Sequence, residues 1–175
     1  CRWQTNQLGI NRIETVQRFT GDWAMRMLLL SLAITPLRRL SGWSELIRFR
    51  RMLGLFAFFY ATAHLCHYLA VDKAWYWPEI LEDLQIRRFF RMGWIAWAAM
   101  LPLALTSTAA AVRFLGGKRW QALHRLAYVS AIAAVIHFYW QGKAALLDPI
   151  FYMAIVAILL GARLGRLAWT AARRR

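Results

Sequence analysis

Apolar and polar stretches alternate along this chain on the length scale of membrane-spanning helices. A mixed polar opening over residues 1–21 reads as an exposed segment, and apolar runs then cover about residues 23–40, 52–71, 92–112, 123–140 and 149–169. The run 52–71 carries no formal charge, and about 20 apolar residues are what an α-helix needs to cross a bilayer core. The run 92–112 is also uncharged, and its Pro102 predicts a kink. In the first run Pro36 lies close to the end, a position that membrane helices tolerate. The pattern predicts an all-α polytopic transmembrane bundle of five spans, forming one domain over residues 1–175.

Composition supports that reading. Hydrophobic residues make up 60% of the chain and it holds 10 Trp, which excludes an ordinary soluble domain. The net charge of +15 raises the question of nucleic acid, but the basic residues stand in short clusters between apolar runs, as topology signals do, so no nucleic-acid partner is expected. The loops around 38–51, the segment 113–125 and the region from 163 onward hold fourteen Lys and Arg against one acid, whereas the opposite loops hold eight bases and seven acids. By the positive-inside rule the first set is cytoplasmic, the N-terminus of the chain is on the periplasmic side and the C-terminus is in the cytoplasm. Arg163 and Arg166 are placed to snorkel toward the interface, and the loop 72–90, with Trp75, Tyr76 and Trp77 among its acids, reads as an interfacial belt. The chain starts at Cys1 without an initiator Met, which suggests a trimmed N-terminus. Cys1 and Cys66 are too few for a disulfide framework.

The chemistry lies in four histidines. His124 and His137 sit near the two ends of the stretch 119–140, and imidazoles in hydrocarbon call for partners. Haem iron is the ligand that best explains them. Thirteen residues of helix separate the pair by about 20 Å along the axis, enough to put one site near each face of the membrane. On a straight helix that spacing turns the two rings to different faces, so tilt or differently placed partner helices must absorb the difference. Runs 52–71 and 123–140 cross in the same direction, which brings His64 and His137 to similar depth near the outer face. Two facing imidazoles at equal depth are what a bis-histidine haem requires, and the absence of C-x-x-C-H argues against covalent attachment. The competing reading has each histidine hydrogen-bonded to a neighbouring helix.

His124 has no histidine at matching depth, because Arg50 and Arg51 stand there. Its site would hold a haem with one protein ligand, a flavin or a quinone, or His124 is simply a polar interfacial residue. His67, one turn after His64, reads as an interfacial histidine in contact with solvent or a quinone head group, the sharper alternative being a haem ligand. A zinc pair of His64 and His67 lacks further ligands, and the Gly-Gly-Lys at 116–118 lacks the flanks of a phosphate loop. The rival class is a non-redox membrane protein, such as a small transporter or an assembly scaffold, for which an internal repeat or a mid-membrane charge would speak.

The pieces FTG at 19–21, TPLRR at 35–39, RRMLGL at 50–55, the helix around His64, LALTST at 103–108 and KRWQALHRLAYVSAIAAVIHFYW at 118–140 resemble the MsrQ (YedZ) family, the haem-binding membrane subunits of the periplasmic methionine sulfoxide reductase system. The likeness extends over essentially the whole chain. It implies a ferric-reductase-like domain in the bacterial inner membrane, with haem b on His64 and His137. The family has six helices and two stacked haems; its first helix would precede Cys1, and Arg50 and Arg51 stand in place of an inner histidine ligand. It further implies electrons from quinone or a cytosolic flavin reductase, a periplasmic molybdopterin subunit as acceptor, and an association with FMN, whose phosphate the basic cytoplasmic loops would neutralise.

Overall fold

The computed structural model describes residues 12–141 and 147–172, and among them the fold is helical with no strand. Five long helices carry it: α1 (Arg12–Ser41), α2 (Leu46–His67), α4 (Arg88–Leu105), α7 (Leu126–Gln141) and α8 (Leu147–Ala172). Three shorter ones, α3 (Trp77–Ile86), α5 (Ala109–Leu115) and α6 (Gly117–Leu123), connect them. Helix α1 lies along α2 and α4 along α7, and α8 packs on α7 and α1. Two helical stretches, Leu46–Asp72 and Gly117–Gln141, are long and apolar enough to cross a membrane. A third qualifies if α4 and α5, bent by 93°, are taken together. The expected spans within α1 and α8 fall on long helices that do not meet that criterion over the required length; the apolar part of α8 is Pro149–Arg163.

The packing is that of a membrane bundle. Small side chains sit where helices touch, with Ala57, Ala131 and Ser130 fully buried, so the backbones come close. Hydrogen bonds cross the seams: Ser130 Oγ donates to the Ala96 carbonyl at 2.9 Å, Ser31 Oγ to the Arg50 carbonyl at 3.0 Å, and Trp97 Nε1 to Thr62 Oγ1 at 3.0 Å. Large apolar residues such as Phe59, Phe151 and Ile158 face outward. A soluble protein would bury these first.

Three expectations need correction. The segment before Trp23 is not simply exposed: α1 begins at Arg12, and Gln17, Thr20 and Gly21 face the bundle interior. The run 92–112 is not one continuous helix. It passes Pro102 and breaks at Thr106–Thr108, where Thr106 Oγ1 and Ser107 Oγ donate to the carbonyls of Pro102 and Leu103, both at 2.6 Å. Thr108 then caps α5 by accepting from the Ala111 amide at 3.1 Å. Hydroxyls that satisfy the last carbonyls of one helix and the first amide of the next make the break inexpensive. The helix through 119–140 is also interrupted, by a turn at His124–Arg125 between α6 and α7. Residues 1–11, the loop 142–146 and the tail 173–175 lie outside the described residues, and so does the side chain of Arg166.

At its far end α2 widens into a π-helical turn, Tyr68–Asp72, followed by Ala74 and Trp75 in left-handed conformations at φ 46° and 59°. A buried ion network holds this corner. Lys73 Nζ donates to Asp83 Oδ2 at 2.9 Å and to Glu79, Tyr68 Oη donates to the same Asp83 oxygen at 2.6 Å, and Arg87 Nε reaches Asp83 Oδ1 at 2.8 Å. Burial works against both charges, yet the hydrogen bonds win. The Lys73 ammonium is held above its ordinary pKa by Glu79 and Asp83, and the Asp83 carboxyl below its own by Tyr68, Lys73 and Arg87. Asp72 to Asp83 thus do more than form an interfacial belt: part of the acid is interior, pinning α3 under α2.

Candidate functional site

Helices α1, α2, α4 and α7 enclose a cavity of about 650 Å³ that both His64 and His137 line, within the range of small-molecule and cofactor sites. The two rings stand 6.2 Å apart between centroids, with their planes at 88°. Depth reckoning from the sequence placed these residues together, and the fold brings their rings next to each other with near-perpendicular planes.

Each ring is anchored through Nδ1. His64 Nδ1 is 2.9 Å from the Gln17 carbonyl on α1, and His137 Nδ1 is 2.7 Å from the Phe89 carbonyl on α4. A carbonyl only accepts, so both Nδ1 atoms carry the proton and both Nε2 atoms keep a lone pair. That is the state in which histidine binds a metal, with the backbone carbonyl fixing tautomer and ring direction. Thr20 Oγ1 lies 3.4 Å from His64 Nδ1, and the Gln17 side-chain amide makes a long donor contact of 3.4 Å to the His64 Nε2 lone pair, which a metal would displace.

Glycines make room for the rings. A Cβ at Gly21 would lie 3.1 Å from His64 Cε1, and one at Gly93 would lie 2.9 Å from His137 Nδ1. Any larger residue on α1 or α4 at these points would push the imidazole toward the opposite ring.

The arrangement fits a haem iron. Two metal–nitrogen bonds of about 2 Å, with the ring radii added, put the centroids of two imidazoles on one ion about 6 Å apart, close to the observed spacing. The cavity wall offers Met25, Leu28, Phe90 and Met100 to an apolar macrocycle, while Arg18, Arg87 and Gln17 stand among its polar lining. Trp94 also lines the cavity, and its Nε1 is a buried donor without a partner. No cluster of three or more metal-binding side chains occurs among the described residues, and a bis-imidazole site needs none.

The other candidates lie elsewhere or at the rim. His67 lines the same cavity and its Nδ1 is 2.8 Å from Gln17 Oε1, so Gln17 touches both α2 histidines. His124 is outside the cavity. It closes the last turn of α6, its ring stacked on Trp120 at 3.8 Å and its Nδ1 3.1 Å from the Trp120 carbonyl. Arg50 turns inward, with Nη1 3.4 Å from Thr35 Oγ1, while Arg51, one residue on, is exposed. Gln17, Gly21, Phe89, Gly93 and Trp94 were not singled out by sequence reasoning. The one available signal was the FTG at 19–21, which contains Gly21 but says nothing about what that glycine faces.

Known proteins resemble this chain. The family described as ferric reductase like transmembrane component matches residues 20–135. A relative from Azospira oryzae, a protein-methionine-sulfoxide reductase heme-binding subunit MsrQ, is 51% identical over 160 residues, covering 91% of this chain and 69% of its own length. Those of the same name from Herminiimonas arsenicoxydans and Xanthomonas axonopodis pv. citri are 51% and 45% identical, over 89% and 92% of this chain and 72% and 74% of their own lengths. The chain belongs to the MsrQ family of ferric-reductase-like transmembrane proteins. The family match begins at Thr20, beside the glycine that faces His64, and takes in His64, Gly93 and His124. It makes the chain a membrane protein, in keeping with its apolar helices.

Proposed function

We propose that this chain is the haem-binding subunit of a protein-methionine-sulfoxide reductase system, an electron-transfer component of the bacterial inner membrane whose b-type haem is held by His64 and His137. The observation that carries the assignment is the pair of imidazoles 6.2 Å apart, each with Nδ1–H on a backbone carbonyl and Nε2 left for a metal. Haem bound there supplies one-electron redox chemistry. The chain's own part is to fix the two imidazoles before the metal arrives, exclude water with the apolar wall, and offer Arg18 and Arg87 of the lining to the acidic edge of the macrocycle.

The cavity and the 72–90 loop lie at the end with mixed charge, and the opposite end is basic. With the C-terminus cytoplasmic, the haem lies toward the periplasm, where a molybdopterin reductase subunit takes the electrons, and the donor is quinone or a cytosolic flavin reductase. His67 at the rim is a proton-bearing contact between the haem and solvent. His124 with Arg50 faces the donor side, where FMN would be received if the chain uses it; Arg51, being exposed, would act there only through its charge. The test is a spectrum of purified protein from haem-replete cells: a Soret band that shifts on dithionite reduction is expected, and its absence would sink the redox reading.

A further inference from the structure

The two imidazoles of the cavity differ in what stands on the nitrogen that a metal would take. His137 hydrogen-bonds through Nδ1, to the Phe89 carbonyl at 2.7 Å, and no hydrogen bond among the described residues reaches its Nε2. His64 Nε2 has a neighbour: Gln17 Nε2, from α1, lies 3.4 Å away. The oxygen of the same amide, Oε1, lies 2.8 Å from His67 Nδ1, and the backbone carbonyl of the same residue lies 2.9 Å from His64 Nδ1. Gln17 therefore meets the α2 histidines at three points, two of them on His64.

The direction of every bond in this set follows from the carbonyl. A carbonyl only accepts, so His64 Nδ1 donates, and in the neutral ring His64 Nε2 is then an acceptor. The Gln17 atom facing it must be the amide nitrogen. That leaves Oε1 toward His67, whose Nδ1 must donate. The two histidines thus lock the amide in one orientation, with a donor laid on the lone pair that coordination needs. Joining α1 to α2 does not require this donor. The helices are already fastened by the Gln17 carbonyl, by Oε1 on His67, and by Ser31 Oγ on the Arg50 carbonyl at 3.0 Å. At 3.4 Å the contact with His64 Nε2 is long and easily given up.

We propose that Gln17 is a positioning residue for haem capture: its amide, held by His67, covers the His64 lone pair in the haem-free protein, so that His137 engages iron first and His64 second. The proposal rests on the haem reading. Closing the site breaks the contact between Gln17 Nε2 and His64 Nε2, and His64 Nε2 gives its lone pair to the iron. No proton moves, because Nδ1–H stays on the Gln17 carbonyl and Oε1 stays with His67.

The test is stopped-flow mixing of hemin with full-length protein purified from haem-depleted cells, followed by absorbance. Ligation by His137 alone gives a high-spin spectrum, and closure by His64 converts it to low-spin, so the two steps are read apart. The wild type should show both phases, and His64→Ala should stop after the first. Gln17→Leu keeps the carbonyl and a similar volume but lacks the donor. Its second phase should quicken by roughly two- to tenfold, the weight of one neutral hydrogen bond, with the first phase and the final low-spin spectrum unchanged. His67→Ala, which frees the amide, should quicken the same phase by less, and the double variant should be no faster than Gln17→Leu alone. If Gln17→Leu folds poorly, Gln17→Asn carries the test with the same expectation, its amide being one carbon too short to reach both rings. An unchanged or slower second phase overturns the proposal, as does additive acceleration in the double variant. A lower haem content with the two phases unaltered, the mark of a residue that only joins α1 to α2, overturns it as well. Absence of a low-spin band in every protein, the wild type included, overturns the haem reading and this proposal with it, whereas a band that forms at one rate in all of them overturns this proposal alone.

Discussion

The two ends of this bundle treat buried polar groups differently. At the histidine end the imidazole protons and the ion network are paired, His64 and His137 on carbonyls, Lys73 and Asp83 on each other, and Tyr68 and Arg87 on Asp83, while Trp94 Nε1 is a buried donor left over. At the arginine end Arg163 Nη1 is buried with no partner. Two imidazoles whose protons are satisfied and whose other nitrogens keep lone pairs are prepared for a metal. Arg163 at the other end rests on the Tyr128 ring and keeps one donor that the packing leaves over.

The largest expected effect on haem content falls on the histidine end through packing. Gly93→Val should displace His137 from the Phe89 carbonyl, since the first added carbon already sits 2.9 Å from Nδ1; overpacking of this kind costs about 1–3 kcal/mol. We expect little bound haem from this variant in a haem-to-protein assay, and a milder loss from Gly21→Ala, whose Cβ would be 3.1 Å from the ring. Equal, full haem content in both would show that the glycines do not set the ring positions.

The ion network comes next. Asp83→Asn leaves Lys73 buried beside a neutral amide, and breaking a buried pair costs about 3–5 kcal/mol, read as a lower melting temperature. The pH dependence follows from the shifts. Asp83 is depressed when folded, so its contribution is present above the ordinary carboxylate pKa and is lost as pH falls through the depressed value. Lys73 is raised, so its contribution is present below the ordinary ammonium pKa and is lost as pH climbs past the raised one. Wild-type stability should therefore fall at both extremes, and Asp83→Asn should flatten the acid limb. An unaltered acid limb would place the acid sensitivity elsewhere.

The smallest spectral effect belongs to the arginine end. His124→Ala should leave the haem's low-spin absorption unchanged, because His124 stands outside the cavity, stacked on Trp120. Slower reduction by the physiological donor is expected from the same variant and from Arg50→Gln. Loss of the low-spin band in His124→Ala would merge the two ends into one site.

Much of this was readable in the sequence. Apolar run lengths located the long helices, and the direction of crossing set His64 opposite His137. What escaped was written in residues that hydropathy scores as neutral or polar. Gln17 and Gly21 lie in a stretch with Glu14 and Arg18 that looks like a loop, and its helical face is recognisable only once α2 is packed on it. The break after Leu105 depends on three hydroxyls, two donating to nearby carbonyls and one accepting from an amide, that leave no trace in an apolar run. Lys73 and Asp83 look like surface charges until a π-turn folds one over the other. Arg163, read as a residue reaching for water, faces inward because its stem and ring contact put it over Tyr128.

The central claim is that His64 and His137 bind the same iron, and low-temperature electron paramagnetic resonance of the oxidised, purified protein tests it most directly. Two imidazoles with planes near perpendicular, as the 88° between the rings requires, should give a strongly anisotropic low-spin ferric signal. Either His64→Ala or His137→Ala should replace it with a high-spin signal or remove it. Persistence of the low-spin signal in either variant would contradict the account.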